Sequence, residues 1–304
     1  MDKEAALHAL MLSELPHVGE KGAERILQLN AERQHSLATF FRLPEVVLRD
    51  EYKLHPLAVA CIVGGREEHE QRCQWMLDRL ASVNGHVWIA GDPAYPARLR
   101  QRLRPLPPVL SGIGSTEVLR ASTLAVLNSR SVSEHGVSAT LAIVQAAAAD
   151  EFTLIGGGMK TGYRIAAVAG RAAAAARVIV LDRGIFASFG ARFDRDPFGF
   201  GPGRSPLDAT RTLVISPFRL LDHASPRSGQ RRDEVIAALA DVVVAVHARA
   251  GGQMERVCLE ALDRGQCVLS WYGENAGLIA AGARPITEAD LASGLRGFIG
   301  RPDP

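Results

Sequence analysis

The sequence NSRSVSEHG at 128–136 has the residue types of an anion site. It follows an apolar run, 123–127, and leads into a helical pattern. Ser129 and Ser133 therefore stand where the backbone N–H groups of a helix start face outward. Their hydroxyls can donate hydrogen bonds, and Arg130 can hold a phosphate through two parallel bonds. The same residues would also serve as an ordinary helix cap beside a surface arginine.

Two further turns have related chemistry. GGGMKTG at 156–162 places Gly157, Gly158 and Gly162 where a phosphate or backbone could approach closely, with Lys160 among them. It has neither the GxxxxGK[ST] spacing nor a good GxGxxG fit, so neither a Walker-type nor a dinucleotide loop is indicated. AGGQME at 250–255 again sets glycines, Gly251 and Gly252, between an apolar run and a helix start. Near the N-terminus, LPHVGEKGAERIL at 15–27 reads as a helix-hairpin-helix. Its turn serves either phosphate contact or packing, and His17 stands where such turns usually have glycine.

The elements that must position these turns follow from the hydrophobic pattern. From residue 122 onward, apolar runs (123–127, 152–155, 178–181, 212–215, 242–246 and 267–271) alternate with helical stretches (132–149, 162–176, 232–240 and 254–264). Near-continuous apolar strands between helices predict a mostly parallel sheet covered on both faces, an α/β, Rossmann-like, doubly wound fold. The three turns then share the carboxyl edge of that sheet, where such folds bind ligands. Residues 1–65 read as a small all-helical domain of helix-hairpin-helix or SAM-like type, and 66–121 as a connector that packs on the core. That connector holds a helix at 66–81, a strand at 86–90 and a Pro-rich stretch. The fold proper spans 122–304 and ends in a helix within 286–298, where Thr287 and Asp290 have capping-box spacing. The loop 184–211 holds Phe186, Phe189, Phe193, Phe198 and Phe200 among Arg192, Arg195 and Arg204, suited either to base stacking or to a packed lid.

Composition narrows the function. Hydrophobic residues at 47% and charged residues at 22% describe a globular chain. Charges interrupt every candidate membrane span, and the acidic start MDKEAALHALMLSELP is unlike a secretory signal, so a cytoplasmic location is expected. The four cysteines, Cys61, Cys73, Cys258 and Cys267, have neither disulfide-framework nor metal-ligand spacing. The net charge is only +2, yet 95–130 holds six Arg and one Glu, and 183–232 holds nine Arg and four Asp. Clustered arginine favours a phosphate-bearing partner. No HExxH, no GxSxG and no convincing acid–base pair is present; His135, His223 and His247 lie near the crevice turns without a nucleophile, and Asp182 suits either a base or a loop cap. The expectation is a binding protein, with no cofactor.

Taken in order, the motifs resemble the DprA/Smf family of DNA-processing proteins. NSRSVSEHG resembles its GSRxxSxxG element, and the stretch 157–162 stands where the family has SGxAxG. GENAGLIAAGA at 273–283 is similar to GxNxLIxxGA, while Tyr95-Pro96 with Leu99 and PPVL at 107–110 resemble its YPxxL and PPxxL lead-in. The resemblance covers about residues 10–295. It implies a protein that binds single-stranded DNA, helps load a RecA-type recombinase as in natural transformation, and forms a homodimer. There are departures. The family's GID is Gly162-Tyr163-Arg164 here, its RNR aligns with Arg232-Asp233-Glu234, and its SGSLxTA loop is loosely kept at 251–255. The chain ends about twenty residues after Ala283, which is short for the winged helix many members carry. On this reading, Arg130, Lys160, Arg164 and Arg232 hold the strand over the glycine loops, with Ser129, Ser133, Gly157, Gly158, Gly162, Gly251 and Gly252. The alternatives are a nucleotide or small-ligand sensor on the same crevice, and a protein-binding relic whose groove is empty.

Overall fold

In the computed structural model, residues 3–158, 161–190, 193 and 207–298 are described. Six helices come first: α1 (Lys3–Ser13), α2 (Glu20–Glu32), α3 (Leu37–Phe40), α4 (Glu45–Asp50), α5 (Pro56–Val63) and α6 (Arg66–Ala81). Then follow β1 (Gly85–Ile89), α7 (Ala97–Arg102), β2 (Val109–Gly114), β3 (Thr123–Asn128), α8 (Glu134–Ala149), β4 (Thr153–Gly157), α9 (Thr161–Ala172) and β5 (Arg177–Val180). The remainder is α10 (Ile185–Phe189), β6 (Thr212–Ser216), α11 (Pro226–Leu239), β7 (Val242–His247), α12 (Gln253–Asp263), β8 (Cys267–Trp271), α13 (Ala276–Ala280), β9 (Arg284–Ile286) and α14 (Glu288–Ser293).

Among the described residues the strands form one sheet in the order β1-β2-β6-β5-β4-β3-β7-β8-β9. The run from β6 to β9 is parallel, while β1 and β2 add an antiparallel edge beside β6. The chain winds outward from β3 through β4 and β5 to β6, then returns to the other side of β3 as β7. The switch point of this doubly wound sheet therefore lies between β3 and β7, where the outgoing loops part.

Period-two alternation loads both faces. Ala125, Leu127, Val243, Ala245 and Val268 face a core closed by α7, α11 and α12. Leu124, Val126, Val242, Val244 and Leu269 face the opposite core, closed by α8, α9 and α14. The N-terminal helices cover the rest of the sheet: Leu10, Leu12, Met76 and Leu80 share one cluster with Val87, Ile113, Ile179 and Val214.

Two strands depart from the sequence expectation. β2 falls in the stretch read as a Pro-rich connector, its apolar run interrupted by Ser111 and Gly112. Gly112 is needed there because a Cβ would come within 2.7 Å of the Trp88 indole from β1. β9 has three residues with Pro285 in the middle, tolerable because it is the sheet edge. The last helix starts as expected, with Thr287 and Asp290 closing a capping box.

The lead-in motif holds the foot of the switch point. Tyr95 is buried and donates to the Pro107 carbonyl at 2.8 Å. Arg98 donates to both oxygens of Asp241, at 2.8 and 2.6 Å, and Arg102 adds a third bond at 3.3 Å. Asp241 also accepts from the N–H and hydroxyl of Thr123. One carboxylate thus ties α7 to the starts of both β3 and β7.

Candidate nucleic-acid interface

At the other end of those strands, the loops after β3 and β7 are joined. The Ser129 N–H donates to the His247 carbonyl at 2.7 Å, and the Ser129 hydroxyl accepts from the Arg249 N–H at 2.8 Å. Ser133 caps α8 by accepting from the Gly136 N–H. Both serines thus shape the turn with their own oxygens. Arg130 and Arg249 stand exposed on either side of the junction, without an ion pair among the described residues. Sequence reasoning passed over Arg249; the signal was an arginine two residues before Gly251-Gly252 at the same edge.

The other expected glycines divide by use. A Cβ on Gly162 would lie 2.6 Å from that of Asn128, so this glycine brings α9 against the end of β3. A Cβ on Gly157 would meet the Arg232 side chain at 2.9 Å and the Tyr163 ring at 3.0 Å. Both positions need glycine for packing. Gly251 has φ +67° with open space around its Cα, and its N–H donates to the Glu255 carboxylate at 2.6 Å. Gly252 caps α12 and has no room for a side chain against the Arg249 carbonyl. Gly158 ends the described part of its loop, and Lys160 lies outside the described residues. Arg164 is exposed on α9, one turn past that loop.

Arg232 is placed differently from the expectation that it faces phosphate. It is 1% exposed; its Nε and Nη2 donate to Asp233 at 3.1 and 2.9 Å, and its Nη1 donates to Asp182 at 3.0 Å. The guanidinium lies over the Tyr163 ring, 5.3 Å from its centroid, and the Tyr163 hydroxyl donates to Asp233. Burial, with the Asp233 charge beside it, raises the Tyr163 hydroxyl well above the usual phenol range. The physical reason is helix phase. α11 starts at Pro226, behind a Ser225 cap, and not at 232. Arg232 is therefore two turns inside the helix, directed at the sheet. The Ser-Pro pair was the readable start signal. The changed GID and RNR motifs meet here: Tyr163 and Asp233, both departures from the family pattern, bond to each other.

Asn275, in the GENAG turn after β8, has a role that its motif alone does not reveal. It adopts a left-handed conformation, φ +56°. Its side-chain amide donates to the Ala245 and Val246 carbonyls and to the Ser270 hydroxyl, and its oxygen accepts from the Ala248 N–H at 2.6 Å. It clamps the end of β7. Next to it, Glu274 accepts from or pairs with His247 Nδ1 at 3.1 Å.

The helix-hairpin-helix turn is used for packing. Arg219, after β6, donates to the Leu15 and Val18 carbonyls at 2.5 and 2.8 Å, while Glu14 accepts from the Leu220 N–H. Burial raises the Glu14 carboxyl, against the lowering effect of that bond and of Arg219. Phe186, Phe189 and Phe193 are likewise in the core, the Phe193 ring 5.4 Å from that of Phe186 and 5.5 Å from that of Phe189, with Arg79 over Phe193. Of the two uses left open for that loop, these three rings serve packing. Phe198, Phe200, Arg192, Arg195 and Arg204 lie outside the described residues.

The family profile described as DNA recombination-mediator protein A matches residues 86–292. The chain belongs to that family. DprA-family membership gives it a DNA-processing role and accounts for the ordered motifs. No curated protein matches the chain by sequence. Among solved structures, DprA from Streptococcus pneumoniae is similar at a TM-score of 0.70 and 18% identity, covering 96% of this chain and 97% of that one. DNA processing protein A from Helicobacter pylori, described for its single-stranded DNA binding mode, is similar at a TM-score of 0.53 and 15% identity, covering 69% and 94%. At such identities these likenesses show the fold, and the described β6–β9 run with its N-terminal helices is that fold.

Proposed function

We propose that this DprA-family protein binds single-stranded DNA along the carboxyl edge of its sheet and presents it to a RecA-type recombinase. The observation that carries the reading is the junction at the switch point: Arg130 and Arg249, exposed and free of ion pairs among the described residues, flank loops fixed to each other through Ser129. Two guanidinium groups on a rigid edge suit successive phosphates of one strand. Arg164, on the next helix over, extends the same edge, and we place Lys160 and the backbone of Gly158 and Gly251 along the path. Ser133 and Gly252 hold the two helix starts, with Gly157, Gly162 and Arg232 supporting them from beneath. The role is one of binding, without catalysis and without a cofactor; the polar groups of the crevice are bonded to one another, Ser129 to Arg249, Asn275 to Ala248 and His247 to Glu274.

Among the described residues no helix is long and apolar enough to cross a membrane. A cytoplasmic homodimer is the form we propose to be active. The test is the rate at which a RecA-type recombinase nucleates on a strand already coated with single-strand-binding protein. An increase when this protein is added supports the reading, and an unchanged rate removes the recombinase from it.

A further inference from the structure

Single-strand binders join a basic track to aromatic rings on which bases stack. The Phe rings 186, 189 and 193 are buried and cannot provide that surface. Among the described residues, the large exposed aromatic rings are Trp75, at 62%, and Tyr272, at 68%. Trp75 stands on α6, its ring edge against Phe186, and α6 packs on α1, α5 and β1. Tyr272 directly follows β8, on the same carboxyl edge as Arg130 and Arg249.

The backbone of Tyr272 is fixed while its ring is left open. Its N–H donates to the Ile286 carbonyl at 2.9 Å, and the turn behind it is set by Gly273 at φ +79° and by the Asn275 clamp. Its ring and hydroxyl make no hydrogen bond or ring contact among the described residues. Trp271, one residue earlier, points the opposite way into the core, and its indole N–H donates to His135 Nε2 at 3.0 Å. His135, exposed on the first turn of α8, is thereby held at the edge, five residues past Arg130. The strands β3 and β8 flank β7, so Tyr272 lies about 10 Å across the edge from the arginine loop. The acid nearest in sequence, Glu274, is engaged by His247.

We propose that Tyr272 is the stacking platform for an unpaired base of the strand whose phosphates lie on Arg130 and Arg249. A π-face accepts any of the four bases, so the platform selects unpaired from paired bases and not one sequence from another. This inference rests on the single-strand reading above.

The test uses the full chain with a labelled single strand carrying 5-iododeoxyuridine, irradiated and mapped by mass spectrometry, beside affinities of Tyr272→Ala and Tyr272→Phe at two salt concentrations. The expected results are a crosslink at Tyr272, a loss of about tenfold or more in affinity for the alanine variant, and near wild-type affinity for phenylalanine. The alanine variant should keep the wild-type salt slope, because stacking releases no counterions. Wild-type affinity in Tyr272→Ala, or crosslinks confined to other segments, would overturn the platform while leaving single-strand binding intact. A wild-type chain that retains no single strand at either salt concentration would overturn both.

Discussion

The hydroxyl of Ser129 accepts a hydrogen bond from the Arg249 N–H at 2.8 Å, joining residues 120 positions apart at the point where the winding of the chain across the sheet reverses. The loops after β3 and β7 diverge there, and a ligand crevice in this fold opens between them. In this protein the crevice floor is cross-linked and the two flanking arginines face outward. A rigid pair of cations on one edge is suited to a flexible polyanion, whose strand bends to the protein.

If Arg130 and Arg249 each neutralise a phosphate, replacing either by alanine weakens all single strands alike. The slope of log affinity against log salt should fall by about 0.7 per lost contact. Anisotropy titrations at several salt concentrations measure both quantities. A slope equal to wild type in either variant would remove that arginine from the path.

Arg232 should behave in the opposite way. Arg232→Met leaves Asp233 buried without its cation, a loss of about 3–5 kcal/mol in folding stability. Urea unfolding should show it directly. Any loss of DNA affinity in the folded fraction should come with an unchanged salt slope, because no phosphate contact has gone.

Asn275 combines a backbone conformation with a side-chain clamp, and the two can be separated. Asn275→Gly retains access to the left-handed conformation but removes the amide bonds to Ala245, Val246, Ser270 and Ala248. The expected cost is about 1–3 kcal/mol, with faster hydrogen exchange at residues 245–248 than at 242–244, the first half of β7. Uniform exchange rates would show that the clamp is not local.

Asp241 gives a pH dependence with a definite sign. Burial by itself would raise its carboxyl, but the hydrogen bonds and charge of Arg98, with the N–H and hydroxyl of Thr123, hold it below the ordinary carboxylate value. The folded form therefore binds its proton less readily than the unfolded chain. Its contribution is complete above the unfolded value of about 3.9 and is lost as pH falls through the lower folded value. Asp241→Asn should be less stable than wild type at neutral pH, with the difference shrinking in acid; a constant gap from pH 7 down to pH 2 would contradict the assignment.

The parallel strands were legible because each is a near-continuous apolar run. β3, β4, β5, β6, β7 and β8 all fall within two residues of their hydrophobic limits. β2 was hidden because its alternation is broken by Gly112, which exists to admit Trp88, a partner 24 residues away. Arg232 was misread for a local reason: the helix begins six residues earlier, at Ser225-Pro226, and that shift rotates the side chain inward. The roles of Gly157 and Gly162 are also not readable locally. A glycine that admits a phosphate and one that admits Tyr163 or Asn128 are the same letter; only the neighbour decides. Asn275 lay within a recognisable motif, yet its partners Ala245 and Val246 are backbone carbonyls, which leave no trace in side-chain types.

The most direct test of the account is fluorescence anisotropy of the full chain with a labelled single strand at two salt concentrations, with unlabelled duplex as competitor. The account predicts tight binding that weakens steeply with salt and that duplex fails to displace. Binding that duplex competes away equally well, or no binding at low salt, would contradict it. A screen of free nucleotides against the same crevice would then follow.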